Sequence, residues 1–328
     1  MADEPAEDPA QEREEEESLA RIEAGGIPLS AERRLSELRG TQGQDGGRAG
    51  SFTSDLSVNG FALCHQLGLT PLSQVMGSSI YQMGYQGAWG ATSFGGSALV
   101  ELDSLSQALN EVRGRALNRL AEEARHVGAD AVVGVETRAG ESELGSGAGG
   151  GQLALEHMVL GTAVRRENAR NDRSSGIGQP VMTELSVADY ALLLRAGIEP
   201  AGIVAWSSVF FASYAYSGML GGGPGMMNSM QPYELSEFTQ ALYSARERTM
   251  GQITQQASAL GASGVVGVRI GHTMQPRTLG AGMGGAVGGF GARELRGMMI
   301  TFNAIGTAIH QHADAEIQAP EPVVDLFA

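Results

Sequence analysis

Side chains that could bind a soft metal are few in this chain of 328 residues and lie far apart in the sequence. Such sites usually bring together three or four thiolates and imidazoles. Cys64 and His65 are neighbours on a predicted helix, so they point about 100° apart and cannot hold one ion together. The sequence predicts no metal site within one chain, and a divalent or soft-metal site shared between subunits stays open. The candidate ligands are Cys64, His65, His126, His157, His272, His310 and His312.

Two glycine-rich stretches, at residues 145–150 and 280–285, match the G-x-G-x-x-G pattern of phosphate-binding loops. A phosphate loop needs a strand directly before it and a helix directly after it, so that helix amides meet the phosphate. Both stretches lie between two predicted strands, which favours chance matches within low-complexity glycine. Met226, Met227 and Met230 could suggest Cu(I), but their irregular spacing favours adaptable apolar contacts. No cofactor is therefore predicted.

No arrangement typical of acid–base or covalent catalysis stands out. Glu122 and Glu123 are neighbours on the predicted outer face of a helix, and two glutamines replace them in the second half of the chain, which favours a solvated surface. Arg113 recurs as Arg246 in that half. Each arginine contacts either an anion or loop carbonyl, or an ion-pair partner or neighbouring subunit. We predict no catalytic residue and expect a protein that is not an enzyme.

The composition excludes several classes of function. The formal net charge of −15 argues against a nucleic-acid partner, because phosphate binding needs clustered cations. A single cysteine excludes a disulfide framework, and the acidic N-terminus lacks a signal pattern, so we expect a cytoplasmic protein. Residues 200–233 carry no charge, but serines and glycines interrupt them. The matching stretch 71–90 also contains glutamines, so a buried strand is favoured over a membrane span.

The predicted secondary structure that carries these residues occurs twice in the chain. Residues 109–135 and 242–268 each place apolar or small residues three and four apart, then a glycine, then a β-branched run, which predicts a long helix that ends at the glycine and leads into a strand. Residues 55–79 match residues 184–208 without a gap at an offset of 129. The offset grows to 133 in the long helix and 145 in the last strand, so insertions fall in loops. The sequence therefore predicts an internal duplication.

Each half reads as helix, strand, long helix, strand, strand. This order predicts an α+β fold of two tandem small domains, each an antiparallel sheet covered by one long helix. The first short helix, capped by Ser57, is expected to face inward with Val58, Phe61, Ala62 and Leu67, and a glycine-rich loop is predicted at 140–151. Strands near 204–216 and 298–309 are apolar on both faces, so one sheet face needs cover from the other half or another chain.

The predicted ends of the chain differ from its centre. Residues 1–50 are an acidic arm that should be mostly disordered, because ten acids among the first 24 residues leave little to bury. Within it, 27–39 could form a short helix capped by Ser30, which would need a partner surface because its apolar residues, Leu35 and Leu38, are few. The full expected organisation is the arm 1–50, a first domain 51–166, a linker 167–180, a second domain 181–312 and an acidic, disordered tail 313–328.

The repeated motifs resemble the YbjQ-like family, whose members are labelled heavy-metal-binding domains. The first half carries them as Arg113-x-x-Ala116, Glu123-Ala124, GADAVVGV at 128–135 and GTAV at 161–164, and the second half matches more loosely. The resemblance implies a small α/β domain that assembles into a ring, typically a pentamer, with strands shared around the axis. It implies no established catalytic activity.

These observations lead to one expected function and one alternative. We expect a non-enzymatic, oligomer-forming binding or scaffold protein built from two YbjQ-like domains, as a pentameric or pseudo-symmetric ring. The alternative is a metal-binding or metal-responsive ring with ligands at subunit interfaces. The expected partner is the chain itself, with neither nucleic acid nor membrane, and a further protein could bind the acidic arm.

Overall fold

The structure is a computed structural model that describes residues 9–44, 53–83, 99–144, 152–166, 179–213, 234–279 and 295–311. Its helices are α1 (Pro9–Glu23), α2 (Leu29–Gln44), α3 (Val58–Gln66), α4 (Asp103–His126), α5 (Val187–Arg195) and α6 (Ser236–Ala259). Its strands are β1 (Leu69–Met83), β2 (Leu99–Glu101), β3 (Ala131–Leu144), β4 (Gln152–Arg166), β5 (Val181–Met182), β6 (Ile198–Ser213), β7 (Gly264–Leu279) and β8 (Leu295–Gln311).

The predicted order of elements is confirmed in both halves. The short helices α3 and α5 begin after Ser57 and Ser186, whose hydroxyls accept the backbone N–H of Gly60 and Asp189. Such caps satisfy an N–H that has no partner inside the helix. After α4, Gly128 has a φ of 74°, where a side chain would be strained, and the chain turns into β3. The fold class is therefore α+β with two tandem units.

Each domain lends one short strand to the other. The first sheet has the order β1-β4-β3-β5, and the second has the order β2-β6-β8-β7. β5, which follows the first domain in sequence, pairs in parallel with β3, whereas β2 of the first half pairs antiparallel with β6. The long strands of each sheet are antiparallel as predicted, and these short strands join the domains.

Helix α4 lies against both sheets. On the first sheet it approaches β1 so closely that a Cβ at Gly77 would lie 1.9 Å from the Ala116 carbonyl oxygen. Glycine is required at such an approach because any side chain would displace the helix. At its N-terminal end, α4 packs Leu105 and Val112 into one cluster with Val209 and Phe211 of β6. The surplus apolar face of the second sheet is thus partly covered by the first domain.

The expectation of disorder up to about residue 24 is wrong for Pro9–Glu23, which form α1. Glutamate, alanine, arginine and leucine all favour helix, and this local preference outweighs the low hydrophobicity. Glu14 of α1 pairs with Arg33 of α2, and Arg21 pairs with Glu32. The arm is therefore a helical hairpin over its described residues.

Helix α2 attaches the arm to the first domain. It begins at Leu29, so Ser30 lies inside it and is not the predicted cap. The predicted need for a partner surface is confirmed, because Leu35 is fully buried in the core of α4 and the first sheet together with Ile27. Arg119 of α4 donates to the carbonyls of Ile22 and Gly26, between the two arm helices.

Several local predictions need correction. Val58 and Phe61 of α3 were expected to face inward but are exposed, whereas Cys64 fills the buried position. The glycine-rich loop predicted at 140–151 begins later, because Gly140 and the four residues after it still pair with β4. The remaining glycine-rich motifs, the three methionines, the linker, His312 and the tail lie outside the described residues, except that 179–180 are described.

The uncharged stretch at 200–233 is a strand over its described part, within β6. Val204 and Phe210 of this strand pack with α6 on one face, and Val209 and Phe211 pack with α4 of the first domain on the other. Among the described residues, no helix combines the length and apolar character that a bilayer crossing requires.

Candidate functional site

The interface between the domains closes the free edge of β6. The Asn110 side chain of α4 acts as a substitute strand there, because its Nδ2 donates to the Ser207 carbonyl at 2.8 Å and its Oδ1 accepts the Ser207 N–H at 2.9 Å. The next edge-facing residue, Val209, donates to Ser106 Oγ and accepts from the Leu102 N–H. Because open strand edges promote pairing with other chains, these contacts seal the second domain on this side.

Arg113 crosses the same interface. Its guanidinium donates to Asn110 Oδ1 at 2.8 Å and to Ser207 Oγ, so it contacts the other domain without pairing with a carboxylate. The side chain is buried, and burial lowers the pKa of Arg113 to about 10. The observed contact is an interdomain one with neutral side chains of the same chain, so the anion contact and the subunit contact considered from the sequence both stay predictions.

Arg246, the repeat equivalent of Arg113, behaves differently. It pairs with Glu247 at 2.7 Å, and about half of its side chain is exposed. The difference follows from position, because α4 has a second sheet beside it whereas α6 has none among the described residues. Sequence identity at this pair of positions thus does not produce the same contact.

The corresponding edge of the first sheet, that of β1, is bonded as far as Ser78, whose carbonyl accepts from Arg119 at 2.5 Å, but among the described residues it is not bonded at Ile80. Ile80 is the repeat equivalent of Val209, yet its side chain is 72% exposed where that of Val209 is fully buried. No described residue gives its edge-facing backbone groups the partners that Val209 has. Met76 lies on the same strand face and is 42% exposed. Among the described residues, the first sheet therefore exposes apolar side chains at Met76 and Ile80, and its edge lacks a partner at Ile80.

A second contact links the domains at the other edge of the first sheet. Thr183 donates its N–H to the Val132 carbonyl and accepts from the Val135 N–H, so the segment after β5 follows β3. The Thr183 hydroxyl also lies 2.9 Å from that of Thr307 in β8. This segment therefore joins both sheets, whereas β7, the matching edge of the second sheet, has no such strand among the described residues.

The prediction that Glu122 and Glu123 form a solvated surface is wrong for Glu123. Its side chain is buried, and its carboxylate accepts the Met76 N–H at 2.8 Å and pairs with Arg34 of α2. Burial raises the pKa of Glu123, and these two contacts oppose the rise. In the second domain Gln256 makes the same edge contact, accepting the Ala205 N–H at 3.0 Å. Both residues therefore cap a strand edge.

The candidate metal ligands do not converge in the described part of the chain. No group of three or more histidine, cysteine, aspartate or glutamate side chains there is placed to hold an ion. Cys64 is buried among apolar residues, and burial raises the pKa of its thiol to about 11, which disfavours the thiolate that metals bind. His65 packs edge-on against Phe61. Within one chain, the described residues therefore do not fit a heavy-metal site.

Sequence reasoning missed the residues that build the interface. Asn110, Ser106 and Ser207 are small polar residues on elements that were predicted correctly. One signal was available, because Ser78-Ser79 and Ser207-Ser208 recur in both halves within otherwise apolar strands.

The family model described as "Putative heavy-metal-binding" matches residues 52–167 and 225–310. The two regions together cover more than half of the chain, so this protein belongs to the YbjQ-like family and carries its domain in tandem.

One relative is similar over most of its length. An encapsulin nanocompartment protein of Mycobacterium tuberculosis (strain ATCC 25618 / H37Rv) is 35% identical over 222 residues, which cover 66% of this chain and 77% of the relative. No solved structure shows significant similarity to the chain.

Proposed function

We propose that this protein is a non-enzymatic scaffold that assembles head to tail, with the second domain of one chain packed on the first domain of the next. The observation that carries the proposal is the contrast between Val209 and Ile80. At this strand position the Val209 side chain is buried against α4 in the second domain, whereas the Ile80 side chain is 72% exposed in the first. A second copy of the chain offers the surface that matches it.

That surface is the outer side of α6. Tyr243 occupies the position of Asn110 and is 58% exposed, and Arg246 occupies the position of Arg113. Thr239 is the repeat equivalent of Ser106, whose hydroxyl accepts the Val209 N–H, so the Thr239 hydroxyl could accept the Ile80 N–H of another chain in the same way. Tyrosine cannot bridge a backbone N–H and C=O as asparagine does, but it brings a broad apolar side chain to Ile80 and Met76.

The opposite end of the chain offers the reciprocal contact. Residues 53–56 precede α3 as residues 182–185 precede α5, and the latter segment pairs with β3. In the proposed assembly, 53–56 follow the edge of β7 in the preceding chain. Contacts of this kind use two different surfaces and close into a ring when the rotation between copies permits it.

The named relative supports a role in assembly. It is an encapsulin nanocompartment protein, and its similarity covers two thirds of this chain. A self-assembling scaffold that forms part of, or associates with, a protein compartment fits both that relative and the uncovered surfaces. The acidic arm, docked by its two helices on the first domain, is the part left available for a further protein.

The experiment uses two variants that each block one surface. Ile80→Arg places a charge on the open sheet face, and Tyr243→Arg places one on α6; both side chains are exposed, so folding should be unaffected. Light scattering after gel filtration should give an oligomer for the wild type and a monomer for each variant. A mixture of the two variants should give a dimer, because one intact junction remains.

The matched control is Leu19→Arg, which adds the same charge at an exposed position of α1. It should leave the oligomer intact. A wild type that is monomeric at micromolar concentration would contradict the proposal, and so would variants that stay monomeric when mixed.

A second candidate function is metal binding at the junction between chains, and it rests on the family description. Calorimetric titration of the assembled protein with Zn²⁺, Ni²⁺ and Cu⁺ tests it. Binding tighter than about 100 µM to the oligomer, and absent from the Ile80→Arg monomer, would support metal ligands shared between chains. Absence of binding to both would remove this function.

A further inference from the structure

A cleft of about 760 Å³ separates the two domains and has walls from both sheets. This volume lies within the range of pockets that hold small organic ligands. Leu109 and Arg113 of α4 reach it from one side. The remaining walls come from β3 and β4 of the first sheet and from β6, β7 and β8 of the second, with His157 and Ser207 among the lining residues.

Three arginines line the cleft, and Arg113 differs from the other two. Arg138 pairs with Glu136 at 3.7 Å, and Arg269 pairs with Glu184 at 2.9 Å. For Arg113 the described residues provide no carboxylate within ion-pair distance, although it is the most buried of the three. Buried charges in proteins are normally paired, because an unpaired one loses its hydration without compensation.

The hydrogen bonds of Arg113 leave capacity for a ligand. A guanidinium carries five N–H donors, and the described residues accept two bonds from it, at Asn110 Oδ1 and Ser207 Oγ. Ser207 Oγ in turn donates to Asn303 Oδ1 at 2.5 Å. The arginine is thus fixed in place by neutral groups, which orient it without neutralising it.

His157 supplies a second unsatisfied group in the same cleft. Its side chain is buried, and its Nε2 has no hydrogen-bond partner among the described residues. Burial and the charge of Arg113 lower the pKa of His157 to about 4, so the ring is neutral near pH 7. A neutral imidazole protonated on Nε2 is a donor for an anion and adds no charge beside the arginine.

We propose that this cleft binds a small organic oxyanion, a carboxylate or a phosphate ester, with Arg113 and His157 Nε2 donating to the charged group. The apolar part of the ligand would contact Leu109, Ile270 and Ile305, which line the same cleft. Charge-assisted bonds from a preoriented arginine are among the strongest polar contacts available to a protein.

The residues of this site are not repeated at the equivalent positions of the other half, so the site is expected only between the two domains of one chain. At the position of His157 the second half has Phe302, which is buried and cannot donate a hydrogen bond. At the position of Asn303, which accepts a hydrogen bond from Ser207, the first half has Met158. A junction between two chains would therefore lack these groups, and we expect one oxyanion per chain.

The test is calorimetric titration of the full chain with phenyl phosphate, benzoate and inorganic phosphate at constant ionic strength. We expect saturable binding of at least one aromatic anion at one molecule per chain. Tighter binding of phenyl phosphate would assign a phosphate ester, and tighter binding of benzoate would assign a carboxylate. Arg113→Gln should weaken binding by about tenfold or more, because it removes the charge-assisted bonds.

The control is Arg125→Gln, which makes the same change at an exposed position of the same helix. It should bind as the wild type does. If Arg113→Gln does not fold, the His157 imidazole signals of ¹⁵N-labelled wild type provide the second readout, and they should shift with saturation. Absence of saturable binding to the wild type up to about 10 mM, or equal binding by folded Arg113→Gln, would overturn the proposal.

Discussion

The two domains have the same order of elements but different surroundings, and Val209 and Ile80 show this most clearly. One side chain is fully buried against α4, and its repeat equivalent is 72% exposed. The same holds for Arg113, buried at the interface, and Arg246, half-exposed beside Glu247. The long helix of the repeated module can therefore pack against two sheets. Among the described residues of one chain, α4 does so and α6 does not.

The two repeats have therefore diverged where their contacts differ, while their fold is the same. Glu123 and Gln256 both cap a strand edge, yet only Glu123 has a cation from the arm beside it. His157 and Phe302 occupy one position, but only His157 lies in the interdomain cleft. Three measurements test whether the two domains differ in this way.

The largest effect is expected at the equivalent core positions Leu120 and Ile253, which are both essentially fully buried. Leu120→Asp or Ile253→Asp would each bury an unpaired carboxylate and should lower the free energy of unfolding by roughly 3–5 kcal/mol. Leu120 shares its core with Ile27 and Leu35 of the arm, so its variant should also release α2.

Urea unfolding followed by circular dichroism measures the first effect, and hydrogen exchange of α2 measures the second. Leu192→Asp, at an exposed position of α5, is the control and should change little. Unaltered unfolding of both core variants would show that the helix faces are misassigned, and release of α2 by Ile253→Asp would contradict the asymmetry.

A smaller effect concerns pH. Because the pKa of His157 falls from 6.5 to about 4 on folding, the unfolded chain binds more protons between these values, so stability should decrease as pH falls from about 6.5 to 4. The decrease attributable to His157 is about 3 kcal/mol and does not grow further below pH 4.

Urea unfolding at several pH values, compared between wild type and His157→Phe, isolates this contribution. The variant places phenylalanine at position 157, as Phe302 stands at the equivalent position of the second domain. Burial raises the pKa values of Glu123 and Glu184, which makes the protein more stable as the pH falls. These contributions are common to both proteins, so they cancel in the difference between the two pH profiles. Parallel pH profiles for the two proteins would mean that His157 is not buried as a neutral ring.

The smallest effect is expected for Glu123→Gln, which gives the first domain the capping residue of the second. Glutamine can still accept the Met76 N–H, as Gln256 does for Ala205, so the strand edge stays satisfied. The pair with Arg34 is lost, but that arginine is half-exposed, so overall stability should change by less than about 1 kcal/mol.

Hydrogen exchange in α2 should nevertheless accelerate, because one of its links to α4 is gone. Arg34→Gln should produce the same acceleration. A loss of more than about 2 kcal/mol in Glu123→Gln would show that the charge itself, and not the hydrogen bond, secures the edge.

The parts predicted from sequence were those with local causes. Ser57 begins α3 through its own hydroxyl, and Gly128 ends the α4 region through its own backbone freedom. The inward face of α3 was predicted wrongly, because both sides of a nine-residue helix carry apolar residues and the neighbouring Tyr190 of the other domain decides which side is buried. The burial of Glu123 was missed since its partner, the Met76 N–H, is 47 residues away.

The exchange of β2 and β5 was missed for a related reason. These strands have three and two residues, so no alternation can reveal them, and each pairs with a strand of the other domain. The Arg113 cleft likewise forms only when β3 and β4 of one sheet face β7 and β8 of the other.

The duplication, the order of elements and the surplus of apolar strand surface can all be read from the sequence, because helix periodicity, caps and β-branched runs act over a few residues. The packing of the two domains determines which of the two equivalent arginines is buried and, among the described residues, which of the two equivalent strand faces is exposed. The physical reason is that burial depends on the neighbour across the interface, and two copies of one module in a chain have one shared interface between them.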